Sequence, residues 1–126
     1  MNNKRKKINY DSAWTKKLES KKHWVLYWKQ QWLLTKYLRQ KDTILEIGVG
    51  SGFTANYLRN KNYTVTTLDI DNEKKPDIVA NIVDYELKSN YDIILAFEVF
   101  EHFPFKYLIS VLQMLHKRCN GYLLIS

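Results

Sequence analysis

In the stretch ILEIGVGSGF an apolar run leads into an acid, Glu46, and then into glycines at alternate positions, Gly48, Gly50 and Gly52. Glycines at such a turn let a ligand approach the backbone closely, because no Cβ stands in the way. Two further acids bracket the same region: Asp69 stands next to last in the segment NYTVTTLDI, and Asp84 follows DIVANI. Acids converging on one turn repel a diphosphate, yet they suit a cationic ligand that carries an ammonium group and ribose hydroxyls. Asp69 lies 21 residues beyond Gly48 (69 − 48), close to the separation of about 20 expected of a ribose-binding acid at the end of a second strand. The dinucleotide spacing G-x-G-x-x-G would need a glycine where Phe53 stands, and the turn lacks the Lys-Ser/Thr pair of a phosphate-gripping loop. The ligand these residues suit is adenosine-like without the phosphates. His102, in the segment EHF, adds a residue type suited to general acid–base work.

Positioning these residues requires a particular run of elements. TILEI (43–47) reads as a short buried strand ending at the glycines, residues 51–60 as a helix with Thr54, Tyr57 and Leu58 on one face, and NYTVTTLDI as a second strand. Strand, glycine turn, helix, strand is a βαβ unit, which implies a parallel sheet. DIVANI, preceded by Pro76, is a short third strand, and YDIILAF is an apolar run of the kind buried on both faces. Leu108, Val111, Leu112 and Leu115 recur at helical spacing within 106–118, Asn120 and Gly121 supply the stop, and YLLIS is a fifth strand. Before the first strand, Trp24, Trp28 and Trp32 recur at i, i+4, i+8, continued by Leu34, Tyr37 and Leu38, and predict a helix over about 23–39. A tryptophan stripe is expected in a core, here covering a sheet edge or capping a pocket. The expected fold is an α/β, Rossmann-like three-layer sandwich with a mainly parallel sheet. Residues 1–40 are expected to form a basic tail with aromatic-rich helices as a lid, and 41–126 a binding core that is incomplete at its C-terminus.

Composition narrows the classes. The 126 residues are 45% hydrophobic, enough for one domain with a small core and no room for a second. Cys119 is the only cysteine, which excludes an internal disulfide, and no His/Cys cluster has the spacing of a structural zinc site. A buried free thiol is the expectation. No apolar run has membrane-spanning length, and the basic N-terminus has no apolar segment after it, so a cytoplasmic protein is expected. The net charge of +7 raises the question of nucleic acid. Much of the excess lies in Lys4, Arg5, Lys6, Lys7, Lys16, Lys17, Lys21 and Lys22, which a solvated tail and one wet helix face explain better.

Taken together, ILEIGVGSG resembles the E/D-x-G-x-G-x-G motif of class I S-adenosylmethionine-dependent methyltransferases. YDIILAFEVFEHF resembles their fourth-strand segment, often F-D-x-V-x-x-x-x-V-L-E-H-V, as found in the small-molecule and quinone-type branch. The resemblance covers about 43–126. It implies S-adenosylmethionine as cofactor, S-adenosylhomocysteine as product, and a small-molecule methyl acceptor. Glu46, Gly48, Gly50 and Gly52 would shape the loop against the methionine part, with backbone groups near Gly48 taking the ammonium. Asp69 would hold the ribose hydroxyls, and Ile70 would pack on the adenine. Asp84 would accept from the adenine amino group with Tyr85 beside it, and Phe97 would lie near the methionine end. Other readings stay open: Glu46 bracing the turn, Asp71 in place of Asp69, Tyr85 as plain core.

His102 is the candidate catalytic base, with loop architecture as the competing role; Glu98 and Glu101 fit loop positions better than that of a base. The chain lacks the Asn/Asp-Pro-Pro-Tyr segment of amino-group methyltransferases acting on adenine and glutamine, and Cys119 lacks a Pro-Cys context. An O-, N- or C-methyltransferase of small molecules is therefore expected. The alternatives are an RNA-directed enzyme using the basic N-terminus and a non-catalytic binding or scaffold module. The resembled fold has two further strands and a helix after the fifth strand, so a truncated domain that self-associates through its last strand is expected.

Overall fold

The computed structural model describes residues 17–126. Tyr10 and Trp14, assigned to the expected lid, lie outside the described residues. The chain forms helix α1 (Lys21–Leu34), strand β1 (Thr43–Ile47), helix α2 (Phe53–Asn60), strands β2 (Thr64–Asp69), β3 (Ile78–Val79) and β4 (Tyr91–Ala96), helix α3 (Leu108–Arg118) and strand β5 (Cys119–Ile125). Short 3₁₀ turns at Asn72–Lys74, Phe100–His102 and Phe105–Tyr107 join them.

The five strands make one sheet in the order β3-β2-β1-β4-β5, and every pair runs parallel. Ile44 of β1 sits between Val65 of β2 and Ile93 of β4, so β1 is central and its side chains are covered on both faces. Continuous apolar runs such as YDIILA follow from that position, since a central parallel strand has no wet face. The pleat sends alternate residues to opposite layers. Leu45, Ile47, Leu68, Ile94 and Ala96 pack with Val111 and Leu115 of α3, whereas Ile44, Val65, Ile93, Leu95 and Leu124 pack with Leu34 of α1 and with Ala55 and Leu58 of α2. The result is the expected three-layer, Rossmann-like sandwich. The strand order reverses between β1 and β4, and a crevice opens beyond the carboxyl ends of strands at such a switch point.

Several expectations require correction. The tryptophan stripe is not core: Trp28 is 65% and Trp32 53% exposed, and α1 instead buries Gln30, Gln31 and Leu34. Those glutamines go inward because partners wait for them, Gln31 Nε2 donating to Thr54 Oγ1 at 3.0 Å and Gln30 Nε2 to Ser126 Oγ at 3.3 Å. The helix ends at Leu34 rather than near 39; the N–H groups of Tyr37 and Leu38 both turn back to the Leu34 carbonyl, and these two side chains join the core from a turn. The third strand shrinks to Ile78–Val79. Asn120 and Gly121 do not form a stop, because α3 passes straight into β5 at Cys119. A Cβ on Gly121 would lie 2.5 Å from the Asp92 carbonyl oxygen, so its glycine serves close strand approach at the register shift between β4 and β5. The Cys119 thiol is half-buried rather than buried.

Candidate functional site

The glycine turn is built from both strands that meet there. The Gly48 N–H donates to the Leu68 carbonyl at 2.8 Å, continuing the β1–β2 ladder one step past the strand, and the Gly52 N–H closes the turn on the Val49 carbonyl at 2.9 Å. Gly48 takes φ +80°, and a Cβ there would stand 2.6 Å from Val99 Cγ2. Only glycine satisfies both the left-handed backbone and that approach.

Asp69 splints the turn. Its buried carboxylate accepts the Val49 N–H at 2.7 Å on Oδ2 and the Asp71 N–H at 2.9 Å on Oδ1, with Lys74 Nζ 3.3 Å from Oδ2. The end of β2 is thus tied to the loop after β1 by charge-assisted bonds, which are stronger than neutral ones. Asp71 is spent differently: its Oδ1 caps the next short turn through the Glu73 N–H at 2.9 Å.

Among the described residues, Gln31 Oε1, Asp71 Oδ2 and Glu46 Oε2 are buried without a hydrogen-bond partner, and of these side chains only Glu46 lines the main cleft. The pleat of β1 that sends Ile44 into the α1/α2 layer sends Glu46 there too, at 4% exposure, and its Oε2 has no hydrogen-bond partner. Burial pushes its carboxyl up from the usual 4.5 to about 8; nearby Asp69 pushes the same way, while Arg59, the Ala55 N–H and Lys74 pull against them. The acid is therefore protonated near neutrality unless a cation joins it.

A cleft of about 360 Å³ opens over these groups. Its floor is Glu46, Gly48, Val49, Gly50, Asp69 and Ile70, one wall is Phe97, Glu98 and Val99 after β4, and His102 and Phe103 stand at the same end. The roof is α1, through His23, Leu26, Tyr27 and Gln30. An aromatic cluster holds that roof down: Tyr27 stacks on Phe53 at 5.1 Å, Trp24 meets the same ring edge-on at 5.2 Å, and Tyr27 Oη bonds Ser51 Oγ at 3.1 Å. Phe53, where a dinucleotide turn would have its third glycine, is an anchor for the roof.

The cleft brings together Glu46, Gly48, Gly50, Asp69, Ile70, Phe97 and His102. Three other predicted residues stand apart from it. Gly52 lines a second depression behind the turn, with Arg59, Lys74 and Lys75. Asp84 is solvent-exposed, and Tyr85 packs against the α3-side core. Asn81, three residues before Asp84, lines the cleft instead, with its Oδ1 accepting the Val83 N–H at 3.1 Å. His102 is exposed, its Nε2 3.9 Å from Glu101 Oε1. Glu98 adopts φ +54°, its N–H bonded to the Ser126 carbonyl at 2.9 Å and its Oε1 to Ser126 Oγ at 3.1 Å.

Asn81 and the roof residues were missed by sequence reasoning. For the roof a signal existed: His23, Tyr27 and Gln30 recur at i, i+4, i+7 on the side of α1 away from Trp28 and Trp32, a second stripe that the tryptophans outshone.

The profile of a family described as a methyltransferase domain matches residues 19–126. This chain belongs to that methyltransferase domain family. Its fold agrees with solved structures of low sequence identity. An N-methyltransferase from Bradyrhizobium japonicum in complex with S-adenosyl-L-homocysteine superposes with a TM-score of 0.72 at 16% identity, covering 94% of this chain and 67% of that one. A SAM-dependent methyltransferase from Archaeoglobus fulgidus gives 0.71 at 16%, covering 89% and 55%. A magnesium protoporphyrin IX methyltransferase from Synechocystis with bound SAM gives 0.65 at 16%, covering 81% and 56%. The chain thus spans little more than half the length of the last two. None of the curated proteins compared with it matches. Among the described residues of this methyltransferase domain, no His, Cys, Asp and Glu group is disposed to hold a metal, and no helix is long and apolar enough to cross a membrane.

Proposed function

We propose that this methyltransferase domain binds S-adenosylmethionine in the cleft under α1 and transfers its methyl group to a small molecule. The observation that carries the reading is Glu46: a buried carboxyl with an unpartnered oxygen in a cleft floored by a glycine turn. An uncompensated buried acid is costly unless a cation meets it, and the ligand's ammonium is such a cation. The residues fit the cofactor in other respects. Gly48 and Gly50 leave the backbone bare for close approach, Ile70 is an exposed apolar side chain at the end of β2 suited to an adenine face, and Asn81 stands in the cleft where Asp84 does not. Asp69 gives Oδ2 to Val49 and Lys74 but only one lone pair of Oδ1 to Asp71, so Oδ1 can brace the turn and still accept from a ribose hydroxyl.

When bound, the cofactor supplies an electrophilic methyl carbon on a sulfonium, and the chain's own task is alignment. Phe97 and Val99 bound the cleft beside the turn and exclude water there. His102, at the exposed rim, takes a proton where the acceptor's nucleophile carries one it does not release unaided. A small-molecule acceptor is supported by the Synechocystis neighbour, whose name specifies one.

Titration calorimetry with S-adenosylmethionine and S-adenosylhomocysteine tests the cofactor. Binding of both is expected, with a loss of about tenfold or more in Asp69→Asn, which keeps the side-chain shape but gives up the charge-assisted acceptor. A parent protein that binds neither compound overturns the reading, and an Asp69→Asn protein that binds as tightly as the parent removes Asp69 from it. Transfer of labelled methyl to a metabolite panel, set against transfer to RNA, separates the small-molecule acceptor from the RNA-directed alternative.

A further inference from the structure

The outer face of α1 is assigned no task by the cleft. Residues three, four and seven apart share a helix face, and Val25, Trp28, Lys29 and Trp32 are all exposed on the side opposite the buried Gln30 and Leu34, with Lys36 exposed in the turn just after the helix. Exposed tryptophans of this size, side by side on one helix, form a patch rather than scattered apolar residues. Lys21 and Lys22 lie exposed at the start of the same helix, and KKHWVLYWKQQWLL contains no acid. Lys36 Nζ stands 3.8 Å over the Trp32 ring, so cation and indole are presented together.

We propose that this face is an interfacial docking surface for an anionic phospholipid bilayer, with α1 lying in the plane of the headgroups. Indole rings prefer the headgroup level, where the apolar ring leaves water and the N–H keeps a partner. Lysines flanking them reach anionic headgroups while their stems lie along the apolar surface. A helix with tryptophans, flanking lysines and no acid matches such a surface in both polarity and charge, and a nucleic acid strand is matched less well because the convex helix face has no groove to track a backbone while bases stack on the indoles. The inference does not depend on the cofactor or the acceptor, since it uses the side of α1 turned away from the cleft.

The test is co-sedimentation of the full chain with vesicles of phosphatidylcholine containing about 30% phosphatidylglycerol, against phosphatidylcholine alone. Tryptophan emission is read in a Trp14→Phe background, so that only α1 reports. Binding to the anionic vesicles is expected, with a blue shift and quenching by acyl-brominated lipid. Lys29→Gln and Lys36→Gln should each lower the partition coefficient about fivefold at low salt, and Trp28→Ala with Trp32→Ala should abolish the blue shift while circular dichroism shows the fold retained. The proposal is overturned if the anionic vesicles do not bind. It is equally overturned if the tryptophan variant binds as well as the parent, or if a single-stranded oligonucleotide rather than the vesicles protects the tryptophans. Emission that is already blue-shifted and shielded from acrylamide in vesicle-free protein would also overturn it, by showing that the face is already covered.

Discussion

Replacing Glu46 with glutamine keeps the shape of the side chain and removes its proton equilibrium. In the folded protein, burial holds this carboxyl at about 8, against an ordinary 4.5. The native state therefore binds a proton that the unfolded chain has released, and stability falls as pH rises between those two values. The distance from 4.5 to about 8, at about 1.4 kcal/mol for each pH unit, sets an upper bound of about 5 kcal/mol on the loss, of which about 3 kcal/mol has accrued near pH 7. Urea unfolding of parent and Glu46→Gln across pH 5 to 9 checks it. The parent's midpoint should fall steadily and level off above about 8, and the variant's should stay flatter, so that the variant gains on the parent as pH rises. With S-adenosylmethionine present the order reverses: the ligand's charge stabilises ionised Glu46, and the variant should bind more weakly. Parallel pH profiles for the two proteins would refute the reasoning, because they would mean that Glu46 is ionised or fully partnered in the fold.

Two other substitutions test the geometry. Gly48→Ala should cost about 2–4 kcal/mol, from the left-handed φ and from the contact with Val99; in a double-mutant cycle Val99→Ala should recover about 1 kcal/mol or more of it, and simple additivity would count against the contact. Gly121→Ala should cost about 1–3 kcal/mol by urea unfolding, with no side-chain rescue, since its Cβ would meet the Asp92 backbone. At the acid end, the Thr43 N–H and then its hydroxyl hold the Asp92 carboxyl below its usual 3.8. The stability Asp92 contributes is present above 3.8 and lost as pH falls further, so Asp92→Asn should be less stable than the parent near pH 7 and the gap should close below about pH 4.

The parallel sheet was legible because its evidence is local. TILEI and YDIILA are short apolar β-branched runs with glycine or polar residues at their ends, and the glycines between β1 and α2 announce the turn. Likewise the acid of that turn and Asp69 could be paired by spacing alone, as the βαβ unit brings the end of β2 beside the end of β1. Asp84 failed for a related reason: after a strand of only two residues the chain meanders, and counting along an irregular segment does not say which side chain turns inward. The helix before the sheet failed because hydrophobicity was read without partners. Trp28 and Trp32 outweigh Gln30 and Gln31 on any apolar scale, yet Thr54 and Ser126 stand ready to accept from the glutamines' amide N–H groups.

From sequence alone come the α/β class, the strand–glycine–helix–strand unit, and an acid-rich, phosphate-free turn, because each depends on residues close together in the chain. Only the tertiary structure decided which face of α1 turns inward, that Asp69 braces the turn with both carboxylate oxygens, and that Glu46 is buried at the cleft with one oxygen unpartnered. Those outcomes depend on what packs above a residue from elsewhere in the chain: burial sets the state of an acid, and long-range hydrogen bonds decide which polar side chains can be buried.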